Sequence, residues 1–426
     1  MPAPQGYVQE FMAAGKREHP NPGWNMLLPW RLTGPLDTAA LLSGVDTVVQ
    51  RHEVLRTSLG DGLQVVHPHR PLGIETVDLR RLPEAARASE LDRSARERHA
   101  LALDHSAGLL IAGLLVRAAD DDAYLLLTVD HAVCDGWSIG VILAELTAWY
   151  NGVVSGRGPR LWPVPLQYGE YAARQRRTAA GGGYEQQLGY WANRLTPGPL
   201  GLAFERPAAD GYRSGQHRLL VPAEVARRLR ADRRGTLFMT LLAALAAALA
   251  RHSETGDVAI TSLVSGRRQA ELQRLVGMYA NPVVLRTATA GAGDLGTLAD
   301  RVRRDVLAAY GRQDVPYPLV AERCGIAAAE VWLNLAPPPA AARFRGLTVD
   351  TQALPRDYPI DVPAAAWRGE KLICTLADTG AEITGLLDYN RNQLDEDTVA
   401  GIADDLLAIL SDPGGTLPPT GDRPPL

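Results

Sequence analysis

Apolar residues along this chain follow two spacings, one typical of helices and one typical of strands, in alternating stretches. Residues 36–52 carry a helical stripe, and Asp37 precedes it as the predicted N-terminal cap. Residues 236–252 are apolar on every side, which predicts a helix buried over most of its surface. Further helices are predicted at residues 83–102, 139–150, 184–195 and 396–410, with a short one after residue 165.

Strands are predicted where short apolar runs lie between turn signals. They cover residues 63–66, 109–116, 124–129, 257–264, 283–287, 330–335, 372–376 and 382–387. The acidic triplet 120–122 forms a turn between two strands, and the Asn151-Gly152 pair is a stop signal for the helix before it. The alternation predicts an α/β protein with α+β sandwich layers.

The length and the glycine pattern predict two lobes. A chain of 426 residues is too long for one compact core, and the triple glycine at 181–183 is a linker or a mobile loop. We expect an N-terminal lobe at residues 1–178 and a C-terminal lobe at residues 179–426, each combining a sheet with helices. The Pro- and Gly-rich tail after residue 411 is expected to be frayed.

Charge and composition disfavour several classes of function. A formal net charge of −4 provides no electrostatic footprint for a nucleic acid or an anionic membrane. The longest apolar run, residues 239–250, is shorter than the roughly 20 residues of a membrane-spanning helix, and no secretory leader opens the chain. Cys134, Cys324 and Cys374 are odd in number and far apart, which favours a reducing cytoplasm over a disulfide framework or a zinc site.

The densest group of chemically reactive residue types is segment 129–138, where a strand ends and a helix begins. His131 has the only side chain there that ordinarily titrates near neutrality, so it suits proton transfer. Asp135 lies beside a turn glycine and suits pairing with an arginine that braces the loop. From the spacing alone, a core histidine that closes a strand fits equally well.

Other patterns are interpreted as structural. Residues 136–140 match G-x-S-x-G, but a serine hydrolase needs an acid and then a histidine downstream, and only His217 and His252 follow Ser138. The charged residues 51–57 at a helix end predict a capping and ion-pair network. Structural roles are also assigned to His67, His69, His105 and Cys134.

Several segments together resemble the condensation domains of nonribosomal peptide synthetases. Residues 129–138 resemble the HHxxxDG core of that family, with Asp130 in the place of the first histidine. Further matches in family order are residues 51–57 (RHExLRT), 168–172 (YxDYA), 190–191 (YW), 265–267 (SGR), 276–281 (GxFVN) and 312–317 (HQDxPF, with arginine for histidine). The resemblance covers residues 5–411.

The resemblance implies two chloramphenicol-acetyltransferase-like lobes in a V-shaped pseudo-dimer with a tunnel between them. His131 is then the residue that orients or deprotonates the acceptor as it attacks the donor thioester. Asp135 is structural and pairs with Arg267, while Gly136 leaves room for the reacting carbonyl and its amide helps to hold the oxyanion. The supporting positions of the motif are Asp130, Trp137, Ser138, Arg267, Arg56 and Asn281.

The implied activity is an acyl transfer that forms an amide or an ester without a covalent acyl-enzyme. The implied partners are carrier proteins that deliver phosphopantetheine-bound substrates, or a small-molecule amine or alcohol as the acceptor. The resemblance implies no cofactor or metal held by the chain itself. It fits both a free-standing enzyme and one domain of a larger synthetase.

The substitution at Asp130 keeps two alternatives open. Asp130, Asp135 and Ser138 also match the DxxxxDxxS pattern of heterocyclisation domains, and a non-catalytic recruitment domain has the same fold. The retained His131 and the ordinary form of residues 51–57 favour condensation. Because successive strand residues face opposite sides, we expect Asp130 to point into the packed side and to need polar or charged partners there.

Overall fold

The chain forms two compact units. The structure, a computed structural model, describes residues 2–18, 25–196, 212–232, 234–252, 256–326, 330–336, 342–351, 353–354, 361–362 and 370–423. The first unit comprises Met1–Gly183, Ser265–Ala280 and Pro339–Tyr358, and the second comprises Tyr184–Val264, Asn281–Pro338 and Pro359–Leu426.

The units are discontinuous, whereas the sequence predicted two continuous lobes divided at residues 178 and 179. Segment 265–280 returns to the first unit because its apolar side chains, among them Leu272, Val276 and Tyr279, are buried in the core of that unit. Phe344 does the same for segment 339–358. The triple glycine does lie at the division, since the first boundary falls between Gly183 and Tyr184.

The helices and strands alternate along the described chain, as the sequence predicted. The helices are α1 Tyr7–Glu18, α2 Thr38–Arg51, α3 Glu84–His99, α4 Gly136–Val154, α5 Tyr168–Ala180, α6 Glu185–Leu195, α7 Ala223–Ala231, α8 Leu237–Ala250, α9 Leu295–Tyr310, α10 Tyr317–Cys324 and α11 Glu396–Ser411. The strands are β1 Ala3–Pro4, β2 Asn25–Thr33, β3 Thr57–Gly60, β4 Leu63–Val66, β5 Glu75–Asp78, β6 Ile111–Ala119, β7 Asp122–Asp130, β8 Tyr212–Val221, β9 Asp257–Val264, β10 Asn281–Ala288, β11 Val331–Ala336, β12 Thr348–Asp350, β13 Asp361–Val362, β14 Leu372–Asp378 and β15 Ile383–Asn390. Glu53–Arg56 and Ala270–Arg274 are short 3₁₀ helices.

The first unit is built on a five-stranded sheet in the order β12-β2-β7-β6-β5. Strand β7 lies at its centre, and its successive residues Leu125 and Leu126 belong to two different core clusters, one on each face of the sheet. The core on one side includes residues of α2 and α4, and the core on the other includes residues of α3. A separate three-stranded sheet has the order β1-β4-β3.

The second unit is built on a seven-stranded sheet in the order β10-β9-β11-β14-β15-β8-β13. Strand β11 runs parallel to both β9 and β14, and the remaining pairs are antiparallel. Helix α8 is buried at every position from Met239 to Ala250, as predicted, and packs against α9 and α11. None of the helices in the described ranges is long and apolar enough to cross a membrane.

Two boundary predictions are wrong. Helix α4 runs through the predicted stop signal at Asn151-Gly152 and ends at Val154, because neither residue breaks the backbone hydrogen bonding before Ser155. The tail after α11, which was predicted to be frayed, is held by contacts up to residue 423. Its backbone amides at Gly421 and Arg423 donate to residues of the α8 end, and further side-chain contacts hold it there.

Candidate active site

The candidate site is the loop that joins β7 to α4. Strand β7 ends at Asp130, and α4 begins one residue after Asp135, whose Oδ1 caps it by accepting the N–H of Ser138 at 2.9 Å. The amide of Val133 donates to the carbonyl of Asp130 at 3.1 Å, which folds the residues between them into a tight turn. His131 lies in that turn, between the two buried carboxylates.

The ring of His131 is half-buried and held in one orientation. Its Nδ1 lies 2.9 Å from the carbonyl oxygen of Cys134. Because a carbonyl oxygen only accepts, Nδ1 carries a proton, and the neutral ring has its lone pair on Nε2. Within the described part of the chain, Nε2 makes no hydrogen bond. Burial raises the pKa of the Cys134 thiol, in keeping with the structural role predicted for it.

Asp135 and Arg267 form the buried pair that the resemblance implied. Each side chain is only 1% exposed, and Nη1 of Arg267 donates to Oδ2 of Asp135. The same oxygen accepts the backbone amides of Tyr279 and Ala280 at 3.0 and 3.1 Å. The Arg267 guanidinium also lies 4.4 Å from the centre of the Tyr279 ring, a cation–π contact. Asp135 therefore fastens segment 265–280 to the loop.

Ser138 is completely buried and belongs to the same network. Its Oγ accepts from Nη2 of Arg267 at 2.9 Å and from the amide of Gly277 at 3.1 Å. The hydroxyl has one proton to donate, and both Oδ1 of Asp135 at 2.8 Å and the Gly277 carbonyl at 3.0 Å are within reach. A hydroxyl without exposure or a histidine partner is not placed as a nucleophile, so the G-x-S-x-G match has no catalytic geometry.

Gly136 and Trp137 form the first turn of α4 on the outer side of the loop. A Cβ added at Gly136 meets no atom within 4 Å, so open space lies directly beside its backbone. The indole of Trp137 is exposed, and its N–H donates to the carbonyl of Gln273 at 2.8 Å. The backbone of Gly136 is therefore exposed and unobstructed on this side.

Asp130 points into the packed side of the sheet and is 1% exposed, as predicted. Its Oδ1 accepts the amide of Ala132 at 2.9 Å, and its Oδ2 accepts from Nζ of Lys16 and from Nε2 of His105, the latter at 3.0 Å. Burial by itself raises the pKa of this carboxyl, but the hydrogen bond from His105 and the charge of Lys16 outweigh that effect and lower it below the ordinary value. Asp130 is therefore an ionised, fully bonded structural carboxylate.

The charged segment 51–57 forms the predicted ion-pair network. Arg51 donates twice to the Glu145 carboxylate of α4, both at 3.0 Å, and Nε2 of His52 lies 3.1 Å from the same group. This network joins the end of α2 to α4. Arg56, a predicted support of the motif, instead donates to the carbonyl of His67. It is the residue immediately before strand β3.

Asn281, the other predicted support, organises a segment of the second unit. Its side-chain amide donates to the carbonyls of Gln313 and Val315 at 3.0 and 2.7 Å, and its Oδ1 accepts the amide of Tyr317 at 2.8 Å. Asn281 thus holds the 312–317 segment in place at the start of α10.

Two residues of the site were missed by the sequence analysis. Lys16, in the last turn of α1, neutralises the charge of Asp130. The only signal for it in the sequence is that lysine is rare there, with just Lys16 and Lys371. Tyr279 lies against Arg267 and was included only as one letter of the GxFVN match. Both contacts join segments that are distant in the sequence.

The fold is shared with two solved domains. The starter condensation domain of rhizomide synthetase RzmA matches with a TM-score of 0.83 and 16% identity over 100% of this chain and 98% of its own. The X-domain from teicoplanin biosynthesis matches with a TM-score of 0.81 and 24% identity over 97% of this chain and 96% of its own. That X-domain also has a solved complex with OxyB. The expected fold class is thereby confirmed: the fold is that of a condensation domain.

Sequence comparison gives the family. The Condensation domain family model matches residues 9–335. A linear gramicidin synthase of Brevibacillus parabrevis is 35% identical over 298 residues, which are 67% of this chain and 6% of that protein. The chain belongs to the condensation domain family of nonribosomal peptide synthetases and related natural-product enzymes, and it spans a small part of this relative.

Proposed function

We propose that this chain catalyses condensation, the transfer of an acyl or aminoacyl group from a carrier-protein thioester to an amine or hydroxyl acceptor. The observation that carries the proposal is the state of His131, whose Nδ1 is bound to the Cys134 carbonyl and whose Nε2 is left with a lone pair. A neutral imidazole fixed in this way can accept a proton only at Nε2.

The proposed step needs only the thioester, the acceptor and this ring. The acceptor nitrogen or oxygen attacks the thioester carbonyl carbon and forms the new C–N or C–O bond while its proton passes to Nε2 of His131. The resulting oxyanion collapses, the C–S bond breaks, and the proton leaves with the thiol of the phosphopantetheine arm. The thioester is already activated, so no covalent acyl-enzyme is required.

In this mechanism the oxyanion lies in the open space beside Gly136. Gly136 is the first residue of α4, and amides at a helix N-terminus stabilise negative charge. The buried pair of Asp135 and Arg267 holds that helix end. The phosphopantetheine arm belongs to the carrier protein and enters as part of the substrate.

Heterocyclisation is the weaker alternative. It would need Asp130, Asp135 and Ser138 in catalytic roles, yet all three side chains are at most 1% exposed and are occupied by protein donors or acceptors. Recruitment without catalysis is a second alternative, favoured by the complex that the related X-domain forms with OxyB. Nε2 of His131, which makes no hydrogen bond to any residue that the structure describes, supports catalysis over recruitment.

The experiment is a transfer assay with two carrier proteins. Donor carriers are loaded from a panel of acyl- and aminoacyl-coenzyme A thioesters, acceptor carriers are loaded with amino acids, and free amines and alcohols form a third arm. Products are read by intact-protein mass spectrometry. We expect a mass shift of the acceptor, and we expect His131→Ala to lower its rate by about 10²–10⁴-fold.

The matched control is His69→Ala, the same substitution at a partly buried histidine that pairs with Asp46 instead of lying in the loop. It is expected to keep the wild-type rate. Equal rates in wild type and a folded His131→Ala variant would contradict the proposal. Acceptor dehydration beyond simple transfer would favour heterocyclisation, and carrier or enzyme binding without transfer across the panel would favour recruitment.

A further inference from the structure

The loop that carries His131 lies between two buried carboxylates, each neutralised by a cation from a different part of the chain. Asp135 on the C-terminal side is paired with Arg267, and Asp130 on the N-terminal side is paired with Lys16. The family resemblance predicts the first pair. The second pair stands where the family motif has a histidine, so it is a property of this chain.

Asp130 reaches the backbone on both sides of His131. Its Oδ1 accepts the amide of Ala132, one residue after His131, at 2.9 Å. Its own amide donates to the carbonyl of Leu110 at 3.0 Å, and its carbonyl accepts the amide of Val133. These three bonds fix the backbone from which the His131 ring projects.

This carboxylate stays ionised in its buried position only while its charge is compensated. Oδ2 of Asp130 accepts hydrogen bonds from Lys16 and His105. Lys16 lies in the last turn of α1, and His105 lies in the turn after α3. An unpaired carboxylate at 1% exposure would either destabilise the fold or take up a proton and lose an acceptor. Lys16 is itself only 12% exposed, so water compensates little for either charge.

We propose that Lys16, acting through Asp130, is a positioning residue that keeps the His131 ring in the Nδ1-protonated orientation. The chain of contacts runs from the Lys16 ammonium to Oδ2 of Asp130, from Oδ1 of Asp130 to the Ala132 amide, and from that turn to the ring bound at the Cys134 carbonyl. The catalytic meaning of this arrangement rests on the proposed function, whereas the ring orientation does not.

The test compares two charge-balanced double variants. Lys16→Met/Asp130→Asn removes both charges but keeps an oxygen that accepts the Ala132 amide. Lys16→Met/Asp130→Ala removes the charges and the acceptor together. Neither leaves an unpaired buried charge, so both are expected to fold. Lys16→Met alone is the third variant, and Lys371→Met, which removes the only other lysine, is the matched control.

The primary readout is the long-range ¹H–¹⁵N spectrum of the histidine rings at a pH where they are neutral, which distinguishes the two tautomers. The His131 signals among the nine histidines are assigned by their loss in His131→Ala. We expect the Nδ1-protonated pattern in wild type, in Lys371→Met and in the Asn double variant. We expect mixed tautomers in the Ala double variant and in Lys16→Met.

The second readout is the split between kcat and KM in the transfer assay. Misorientation of the ring is expected to lower kcat by up to about 100-fold with KM unchanged. A wild-type His131 spectrum in the folded Ala double variant would overturn the positioning role even if transfer is observed. Conversely, absence of transfer in the wild type would count against the proposed function and leave the spectroscopic result standing.

Discussion

Asp135 and Arg267 lie 132 residues apart in the chain and form an ion pair whose two side chains are each 1% exposed. Five donor groups lie within hydrogen-bond distance of the Asp135 carboxylate: the amides of Ser138, Tyr279 and Ala280, the Ser138 hydroxyl and Nη1 of Arg267. One acidic side chain thereby caps α4 and fastens the returning segment 265–280. Asp135, next to Gly136, thus has a structural role: it holds α4 and segment 265–280 together.

Removal of this carboxylate should destabilise the first unit strongly. Asp135→Ala leaves the Arg267 guanidinium buried without its counter-charge, and we expect a loss of about 3–5 kcal/mol in the free energy of unfolding. The measurement is urea denaturation followed by circular dichroism. Asp378→Ala is the matched control, because its partner Arg230 and Asp378 itself are about a quarter exposed, and a loss of about 0.2–1 kcal/mol is expected. Equal losses in the two variants would show that burial of the pair contributes nothing.

Ser138 should matter for stability and not for chemistry. Ser138→Ala leaves Nη2 of Arg267 and the Gly277 amide short of an acceptor, at an expected cost of about 1–3 kcal/mol. Acyl transfer should persist, since the hydroxyl contacts no open space. A fluorophosphonate probe is expected to leave the wild-type protein unlabelled in mass spectrometry, and stoichiometric labelling at Ser138 would reverse that conclusion.

Glu145 should shape the acid limb of the stability curve. Burial raises the pKa of this carboxyl, but the hydrogen bonds from His52 and Arg51 outweigh it and lower the pKa below the ordinary value. A carboxyl whose pKa is lower in the folded state contributes stability above its unfolded pKa of about 4.3, and that contribution is lost as the pH falls through the folded pKa. The free energy of unfolding should therefore fall more steeply between about pH 5 and pH 3 in wild type than in Glu145→Gln. Parallel slopes in the two proteins would contradict this.

The tail after α11 should behave as part of the second unit. Arg251 donates to Asp422 at 2.9 Å, and Arg423 reaches Asp405 at 3.1 Å, while Gly421 is bound through its backbone amide. A chain shortened to residue 411 is expected to lose roughly 2 kcal/mol in the free energy of unfolding. The control is a chain shortened only to residue 423, which keeps these contacts and should unfold like the full chain. Unchanged stability at residue 411 would mean that the contacts contribute nothing.

Local patterns predicted much of the secondary structure. Strand β9 was predicted at its observed bounds, and α2 and α8 were predicted within two residues, because cap residues and apolar periodicity act over a few neighbours. Several elements were missed, among them α1, β2 and β8. Strand β2 carries an unbroken apolar run at residues 26–30 that includes Pro29, without the alternation typical of a strand. Its pairing along the whole of β7 is therefore decided by tertiary contact.

The site was predictable to the extent that it is contiguous. Segment 129–138 and its role as a strand-to-helix loop came from spacing, and the Arg267 pairing came from the family resemblance. The partners of Asp130 could not be predicted from the sequence, because Lys16 and His105 are 114 and 25 residues away from it and no periodicity links them. The return of segment 265–280 to the first unit is likewise a property of the folded chain alone.

Because segment 265–280 belongs to the first unit, the first unit is completed late during synthesis. Arg267 is made 132 residues after Asp135, which at ribosomal rates corresponds to a delay of roughly 7–26 s. Throughout this interval the nascent first unit lacks the cation for Asp135 and the apolar residues that cover its core. The loop of His131 is therefore completed only after residues 184–264, the first part of the second unit, have been translated. A nascent chain that stops before Ser265 exposes an unfinished hydrophobic surface to chaperones.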